Sequence, residues 1–239
     1  MRILAFESSA KAASVALLQD GQLLAESYLN CGLTHSRTLT QMAQELLATC
    51  ELPVRSLDAV ACAAGPGSFT GIRIGVAAAK GLAWGAELPC YGVSTLEAMA
   101  HLAAAPQDTV CAVMDARRAQ VYNALFSNGA GTLRRLTEDR AIALEELAQE
   151  LAGRAGRIYL VGDGAALCYQ TLCGRLPELY LPPEPYRQQR ASGVALAAQL
   201  LAEAGVEAPA AELAPNYLRL SQAERERLAR LQQEKGANA

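Results

Sequence analysis

The sequence contains seven cysteines but no Cys-x-x-Cys pair, and its only two histidines, His35 and His101, stand far apart. Structural zinc sites draw their ligands from closely spaced cysteine and histidine pairs, so no metal site is expected. An odd set of thiols, most of them inside apolar stretches, reads as free and buried in a reducing compartment rather than as a disulfide framework. No apolar run approaches the roughly 18 residues that cross a bilayer. The start, Met1-Arg2-Ile3-Leu4-Ala5-Phe6-Glu7, meets a carboxylate before a signal-peptide core can form. A cytoplasmic protein without a membrane partner is therefore expected. Charge of one sign is lacking too: Lys and Arg number 21, Asp and Glu 24, for a net charge of −3. No whole-chain field draws in nucleic acid or anionic lipid, which excludes bulk coating of RNA and leaves only local contacts, with Arg117 and Arg118 or Arg134 and Arg135 as candidates.

What the chain has is apolar content. With 51% hydrophobic and 19% charged residues in 239, it can bury about 70% of its extended surface and fold as one large unit or two lobes. Apolar runs at Ile3 to Phe6, Ser14 to Leu18 and Leu23 to Leu29, the last two joined by Asp20-Gly21, predict three strands with a hairpin. From Thr34 the period changes. Leu39, Met42, Ala43, Leu46, Leu47 and Cys50 recur on one helical face, and Pro53 follows. Asp58 to Ala64 reads as a strand, a helix starts near Gly71, Pro89 to Val93 is strand-like, and Ser94-Thr95-Leu96-Glu97 has the form of a capping box. A second series follows: strands at Thr109 to Met114 and Gln120 to Phe126, a turn at Asn128-Gly129, a strand at Thr132 to Thr137, and a helix at Leu144 to Leu151. After these come a strand at Arg157 to Val161, stopped by Gly162-Asp163-Gly164, and a helix at Ala191 to Ala204. Leu181-Pro182-Pro183-Glu184-Pro185 reads as a stiff connector, and the charged tail from Ser221 as a solvated terminal helix. The expected division is an N-terminal lobe over 1–104, a second lobe over 105–215 and a helical tail over 216–239.

The most suggestive segment is Gly65-Pro66-Gly67-Ser68-Phe69-Thr70-Gly71-Ile72-Arg73-Ile74-Gly75. A strand, a glycine-rich turn and a helix start together expose backbone N–H groups before a positive dipole end, so Ser8, Gly65, Gly67, Ser68, Thr70 and Gly71 form a candidate phosphate loop. Neither GxGxxG nor the P-loop fits the spacing. The alternative is packing: Gly71, Gly75, Ala79 and Ala83 make a narrow stripe that brings a helix close to a neighbour. No GxSxG elbow is present, so no catalytic residue is assigned.

These residues, with Glu7-Ser8-Ser9, Thr34-His35-Ser36, Asp115-Ala116-Arg117-Arg118, Val121-Tyr122 and Pro215-Asn216-Tyr217-Leu218-Arg219, resemble the TsaB (YeaZ) family, bacterial subunits of tRNA threonylcarbamoyladenosine biosynthesis. The resemblance implies an α/β, actin-like fold (ASKHA, RNase H-like) of two lobes, each a mixed sheet flanked by helices. It also implies a non-catalytic scaffold. The catalytic paralogue TsaD carries two metal-holding histidines after the equivalent strand, where this chain has Thr95 and Met99, and a hydroxyl and a thioether are poor replacements for imidazoles. No metal or cofactor is expected.

By the same resemblance, the chain binds TsaD and the TsaE ATPase and supports threonylcarbamoyl transfer to N6 of adenosine 37 in tRNAs reading codons that begin with adenine. TsaC supplies the adenylate, tRNA is met only within the complex, and the chain alone forms a homodimer. The implied interface is Leu39, Met42, Ala43 and Leu46 of the first helix with Gly71, Ile72, Gly75, Val76 and Ala79 of the second, rimmed by Arg73 and Lys80. The first stripe has another reading, as the face that covers its own sheet. Asp115, Arg117 and Arg118 form a candidate interlobe polar site. The alternative function is an actin-like ATP-dependent phosphotransferase using the glycine turn and Glu7 or Asp115.

Overall fold

The computed structural model describes residues 1–103, 108–129 and 132–219. Strands β1 (Arg2–Glu7), β2 (Ala13–Gln19) and β3 (Gln22–Leu29) form an antiparallel meander. Helix α1 (His35–Thr49) then leads to β4 (Ala59–Gly65), helix α2 (Phe69–Gly85) and β5 (Cys90–Ser94), both strands running parallel to β1. The sheet order is β3-β2-β1-β4-β5. Helix α3 (Thr95–His101) follows, with Ser94 Oγ accepting from the Glu97 N–H at 3.2 Å as one half of the expected capping box, while the Glu97 carboxylate accepts from Arg135 at 2.7 Å.

The second half repeats this plan. β6 (Thr109–Asp115), β7 (Gln120–Gly129) and β8 (Thr132–Arg135) are antiparallel, β9 (Arg140–Ala143) pairs with β7, and helix α4 (Leu144–Ala152) precedes β10 (Ile158–Val161). Helix α5 (Ala165–Leu172), β11 (Leu179–Tyr180) and helix α6 (Ala191–Glu203) complete it. The path β11-β10-β6-β7-β8 is the order of the first sheet read from its other end, with β6, β7, β8, β10 and β11 standing for β1 to β5. The architecture is a duplicated mixed sheet, the actin-like fold. β9, α5 and β11 were not anticipated, and Asn128-Gly129, expected as a turn, are instead the last two residues of β7.

Side-chain alternation along the strands sorts the core into layers. Leu4 and Phe6 face α1 and α2, whereas Ile3 and Ala5 face α6. On the first side Leu39, Met42, Ala43 and Leu46 of α1 meet Ile72, Val76 and Ala79 of α2 over Val15, Leu17 and Val60. On the other, Ala191, Val194, Ala195 and Ala198 of α6 lie on Ala5, Ala16, Ala61 and Ala63. Small residues on both surfaces let that helix approach the sheet closely. The stretch Ala191–Leu213, which follows the second sheet in sequence, thus packs on the first. Helix α3 lies between the lobes, Ala98 on the first sheet and Leu96 and Met99 on the second, whose opposite face is covered by α4 and α5.

All seven cysteines are free. Cys62, Cys90, Cys111 and Cys168 are buried as expected, but Cys31 and Cys173 are exposed and Cys50 is half-buried. No helix among the described residues is long and apolar enough to cross a membrane. The charged tail beyond residue 219, including the Ser221 capping pattern, lies outside the described residues.

The α1 and α2 stripes therefore face their own sheet, with Leu46 and Val76 each 6% exposed. A guanidinium there must be desolvated or expel its neighbours, at a cost of about 3 kcal/mol or more. Leu46→Arg and Val76→Arg are each expected to lower the urea midpoint sharply. A folded chain with an unchanged midpoint contradicts this packing.

Candidate interlobe site

The carboxyl ends of the parallel strands β1, β4, β6 and β10 point toward one region, where α/β sheets commonly place ligands. The segments leaving them enclose a cleft of about 580 Å³, walled also by residues 216–219. Ser9, Lys11, Gly67, Ser68, Thr70, Asp115, Arg117, Asp163 and Arg219 line it; Ser8, Gly65, Gly71 and Arg118 do not.

The glycine turn forms its wall through close approach. Gly67 has φ +154°, and a Cβ there would come to 2.5 Å from the Ser9 carbonyl oxygen. At Gly71 an added Cβ would fall far inside van der Waals contact distance of the Ser8 carbonyl oxygen, and Gly75 lies against the Ser8 hydroxyl. The turn's polar groups face inward as well. The Ser68 N–H donates to the Ser9 carbonyl at 2.6 Å, the Ser8 hydroxyl to the Gly71 carbonyl at 2.9 Å, and the Gly71 N–H to Ser68 Oγ at 3.2 Å. Of the expected phosphate loop, Ser8, Ser68 N–H and Gly71 N–H are thus engaged inside the chain. The packing alternative accounts for these contacts.

The opposite wall is the β6–β7 hairpin. Arg117, Arg118 and Ala119 are all left-handed, with φ +61°, +57° and +56°, a conformation costing about 1–2 kcal/mol for each non-glycine residue. Asp115 Oδ1 supports it by accepting the Arg117 N–H at 2.7 Å. The turn separates the expected trio: Asp115 and Arg117 reach the cleft, and Arg118 is exposed outside it.

The C-terminal segment closes one side. The Asn216 N–H donates to the Ala64 carbonyl at 2.7 Å, the Tyr217 ring stacks on Phe69 at 4.4 Å, and Arg219 donates to the Ala116 carbonyl at 2.7 Å. Arg73 and Lys80 hold this segment to α2. Arg73 Nε donates to Tyr217 Oη at 2.8 Å, and Lys80 Nζ donates to the Ala211 and Leu213 carbonyls at 2.7 and 3.1 Å.

Behind the cleft, Glu7 is 1% exposed, its Oε1 accepting the Ser9 N–H at 2.6 Å while Oε2 has no partner. Burial lifts its carboxyl to about 7, against the opposing effect of the Ser9 bonds and with a smaller contribution from Asp163. Asp163, held by Gln189 Nε2 at 2.9 Å, is likewise raised, chiefly by its enclosed position. Thr95 and Met99 are buried at the lobe junction, Thr95 Oγ1 without a partner and the Met99 side chain packed in the second sheet's core. Among the described residues no group of three or more His, Cys, Asp or Glu is placed to hold a metal ion. His35 Nε2 lies 2.9 Å from the Ala10 carbonyl oxygen, so it pins the β1–β2 connection to α1.

Asp163 was visible in the sequence only as a strand terminator, and Ser9, Lys11, Tyr217 and Arg219 were not assigned to a site. The available signal was position: Ser9 and Asp163 each stand two residues beyond a central parallel strand.

The duplicated sheets and the cleft between them define an actin-like protein whose glycine turn is committed to internal packing. A family model described as TsaD, tRNA N6-adenosine threonylcarbamoyltransferase, matches residues 30–226. The chain is 39% identical over 167 residues to the tRNA threonylcarbamoyladenosine biosynthesis protein TsaB of Escherichia coli (strain K12), covering 69% of this chain and 72% of that one. It is 30% identical to TsaB of Bacillus subtilis (strain 168), covering 94% and 96%. YeaZ from Pseudomonas aeruginosa superposes with a TM-score of 0.75 at 28% identity, over 91% of this chain and 99% of that one. The chain belongs to the TsaB family.

The Glu7 carboxyl supplies a pH test. Its folded-state pKa lies above its ordinary value, so the folded state holds the proton more tightly and loses stability as pH rises from about 4.5 to about 7, by ~3 kcal/mol in all. The Glu7→Gln variant keeps an acceptor for the Ser9 N–H and is expected to flatten that decline in urea melts between pH 5 and 8. An equal slope in both proteins contradicts the assignment.

Proposed function

We propose that the chain acts in tRNA threonylcarbamoyladenosine biosynthesis as a non-catalytic scaffold, binding a TsaD-type transferase together with the TsaE ATPase and holding the transferase in its competent arrangement. Family membership supports the pathway. The observation that carries the scaffold role is the pair Thr95 and Met99, a hydroxyl and a thioether buried where the catalytic paralogue is expected to carry imidazoles. The chain's contribution is then differential binding: it favours the transferase conformation that it fits best.

The partner surface on this reading is the outer face of α1 and α2, since the inner stripes are core. Gln41 and Glu45 of α1 are exposed, as are Arg73, Ala77, Gly81 and Trp84 of α2. Trp84 is 65% exposed, and nothing lies within 4 Å of the Cβ position of Gly81. Small residues let a partner helix approach, and a tryptophan beside them suits an interface anchor. Ala77→Arg is expected to weaken TsaD binding at least about tenfold, read by titration calorimetry, with the melting temperature nearly unchanged. Retained affinity removes the surface from the model.

The role itself is tested by multiple-turnover threonylcarbamoyl transfer to adenosine-37 tRNA with TsaC, TsaD and TsaE, in the presence and absence of the chain. Product that depends on the chain, with none from the chain alone, is expected; equal product without it refutes the scaffold. The phosphotransferase alternative draws on the cleft beside the α2 N-terminus and predicts ATP turnover by the isolated chain that Glu7→Ala abolishes.

A further inference from the structure

Strand β5 is an edge of the first sheet, and an edge strand carries a row of backbone groups with no neighbouring strand to bond. The Val60 N–H donates to the Pro89 carbonyl at 3.0 Å, so in the parallel ladder Tyr91 and Val93 are turned to β4, while Cys90 and Gly92 are turned outward. The C-terminal segment ties down this side of the sheet at two places. The Cys90 N–H donates to the Ala208 carbonyl at 2.8 Å, and the Asn216 N–H to the Ala64 carbonyl of β4 at 2.7 Å. Gly92 lies between them. It is exposed, and neither its N–H nor its carbonyl has a hydrogen-bond partner among the described residues.

Over this open stretch lies a cavity of about 340 Å³. Leu201 and Val206 line it on the α6 side, and Pro209 and Leu213 on the other. Leu213 Cδ1 lies 2.8 Å from the position a Cβ of Gly92 would take, so the glycine keeps the edge bare while the leucine forms the wall beside it. A glycine inside a strand commonly marks a place where another backbone approaches. The charged side chains of the cavity are Glu207 and Glu212. Both are exposed, and neither side chain has an ion pair or a hydrogen bond among the described residues.

These features share one chemistry. A free N–H and carbonyl on one residue match the main chain of an added strand, apolar walls suit its alternate side chains, and two unpaired carboxylates call for cations. A small amine would meet the carboxylates and leave the Gly92 groups and the apolar walls unused. We propose that β5 receives a short extended segment of a partner protein, bearing lysine or arginine, as a sixth strand of the first sheet. Its main chain bonds Gly92, and its cations pair with Glu207 and Glu212. This edge is separate from the outer face of α1 and α2, and the inference does not depend on the proposed function.

The test is an NMR titration of the isotope-labelled full chain with the capped pentapeptide Val-Lys-Val-Lys-Val. Three further probes are the same peptide with glutamate for lysine, the same peptide N-methylated at every residue, and butylamine. The lysine peptide is expected to shift the Gly92 amide saturably. N-methylation removes every backbone donor whatever the register, and is expected to weaken binding about fivefold or more. The double variant Glu207→Lys, Glu212→Lys is expected to weaken it about fivefold, the loss of two exposed ion pairs. Both glutamates are exposed, so this variant keeps the fold. The proposal is overturned if the lysine peptide leaves the Gly92 amide unmoved, if the N-methylated or the glutamate peptide binds as well, if the double variant binds as tightly as the parent, or if butylamine reproduces the Gly92 shift.

Discussion

The first turn of α2 rests directly on the backbone that leaves β1. Gly67 and Gly71 have carbonyl oxygens of Ser9 and Ser8 where a side chain would otherwise be, and the bonds from Ser68 and Ser8 tie the two segments together. This contact fixes the height of α2 over the first sheet, which allows Ile72, Val76 and Ala79 to close the core with α1. It also positions the cleft wall formed by Gly67, Ser68 and Thr70. A motif suited to phosphate binding serves here to join a helix to a strand end.

From that contact the structure runs outward through the C-terminal segment. Tyr217 lies on Phe69 at the start of α2, Arg73 and Lys80 hold the same segment, and Arg219 reaches the hairpin of the second lobe. Helix α2 is therefore linked both to its own sheet and, through the C-terminal segment, to the opposite lobe. On the proposed scaffold role, such linkage is a physical route to presenting a defined surface, since the helix beneath it is held by the sheet on one side and by the C-terminal segment on the other.

The sequence revealed this organisation unevenly. Strands β1, β2 and β4 were legible as apolar runs, but both faces of their sheet are buried, so no alternation distinguished Leu4 and Phe6 from Ile3 and Ala5. The Leu39, Met42 and Leu46 stripe was plain; its direction was not, because a helix that covers its own sheet and one that meets a partner have the same period. Helix α5, eight residues long, and β11, two residues long, fall below the length at which periodicity separates from chance. The cleft was half visible: Gly65 to Gly71 stood out locally, whereas Asp163 and Arg219 join it only through long-range packing. Asp163 is the residue most easily overlooked, since a Gly-Asp-Gly turn after a strand is ordinary until the fold places it beside Asp115 and Ser9.

The central claim, that Gly71 and Gly75 of α2 serve internal packing and that the proposed partner binding belongs to the outer face, is tested most directly by Gly71→Ala. Its urea midpoint and its affinity for TsaD should be measured under conditions where the folded fraction is known. The account predicts a loss of stability of about 1–3 kcal/mol or more from the clash with Ser8, with affinity per folded molecule largely kept. Undiminished stability together with abolished TsaD binding would show instead that Gly71 faces the partner, and would contradict the account.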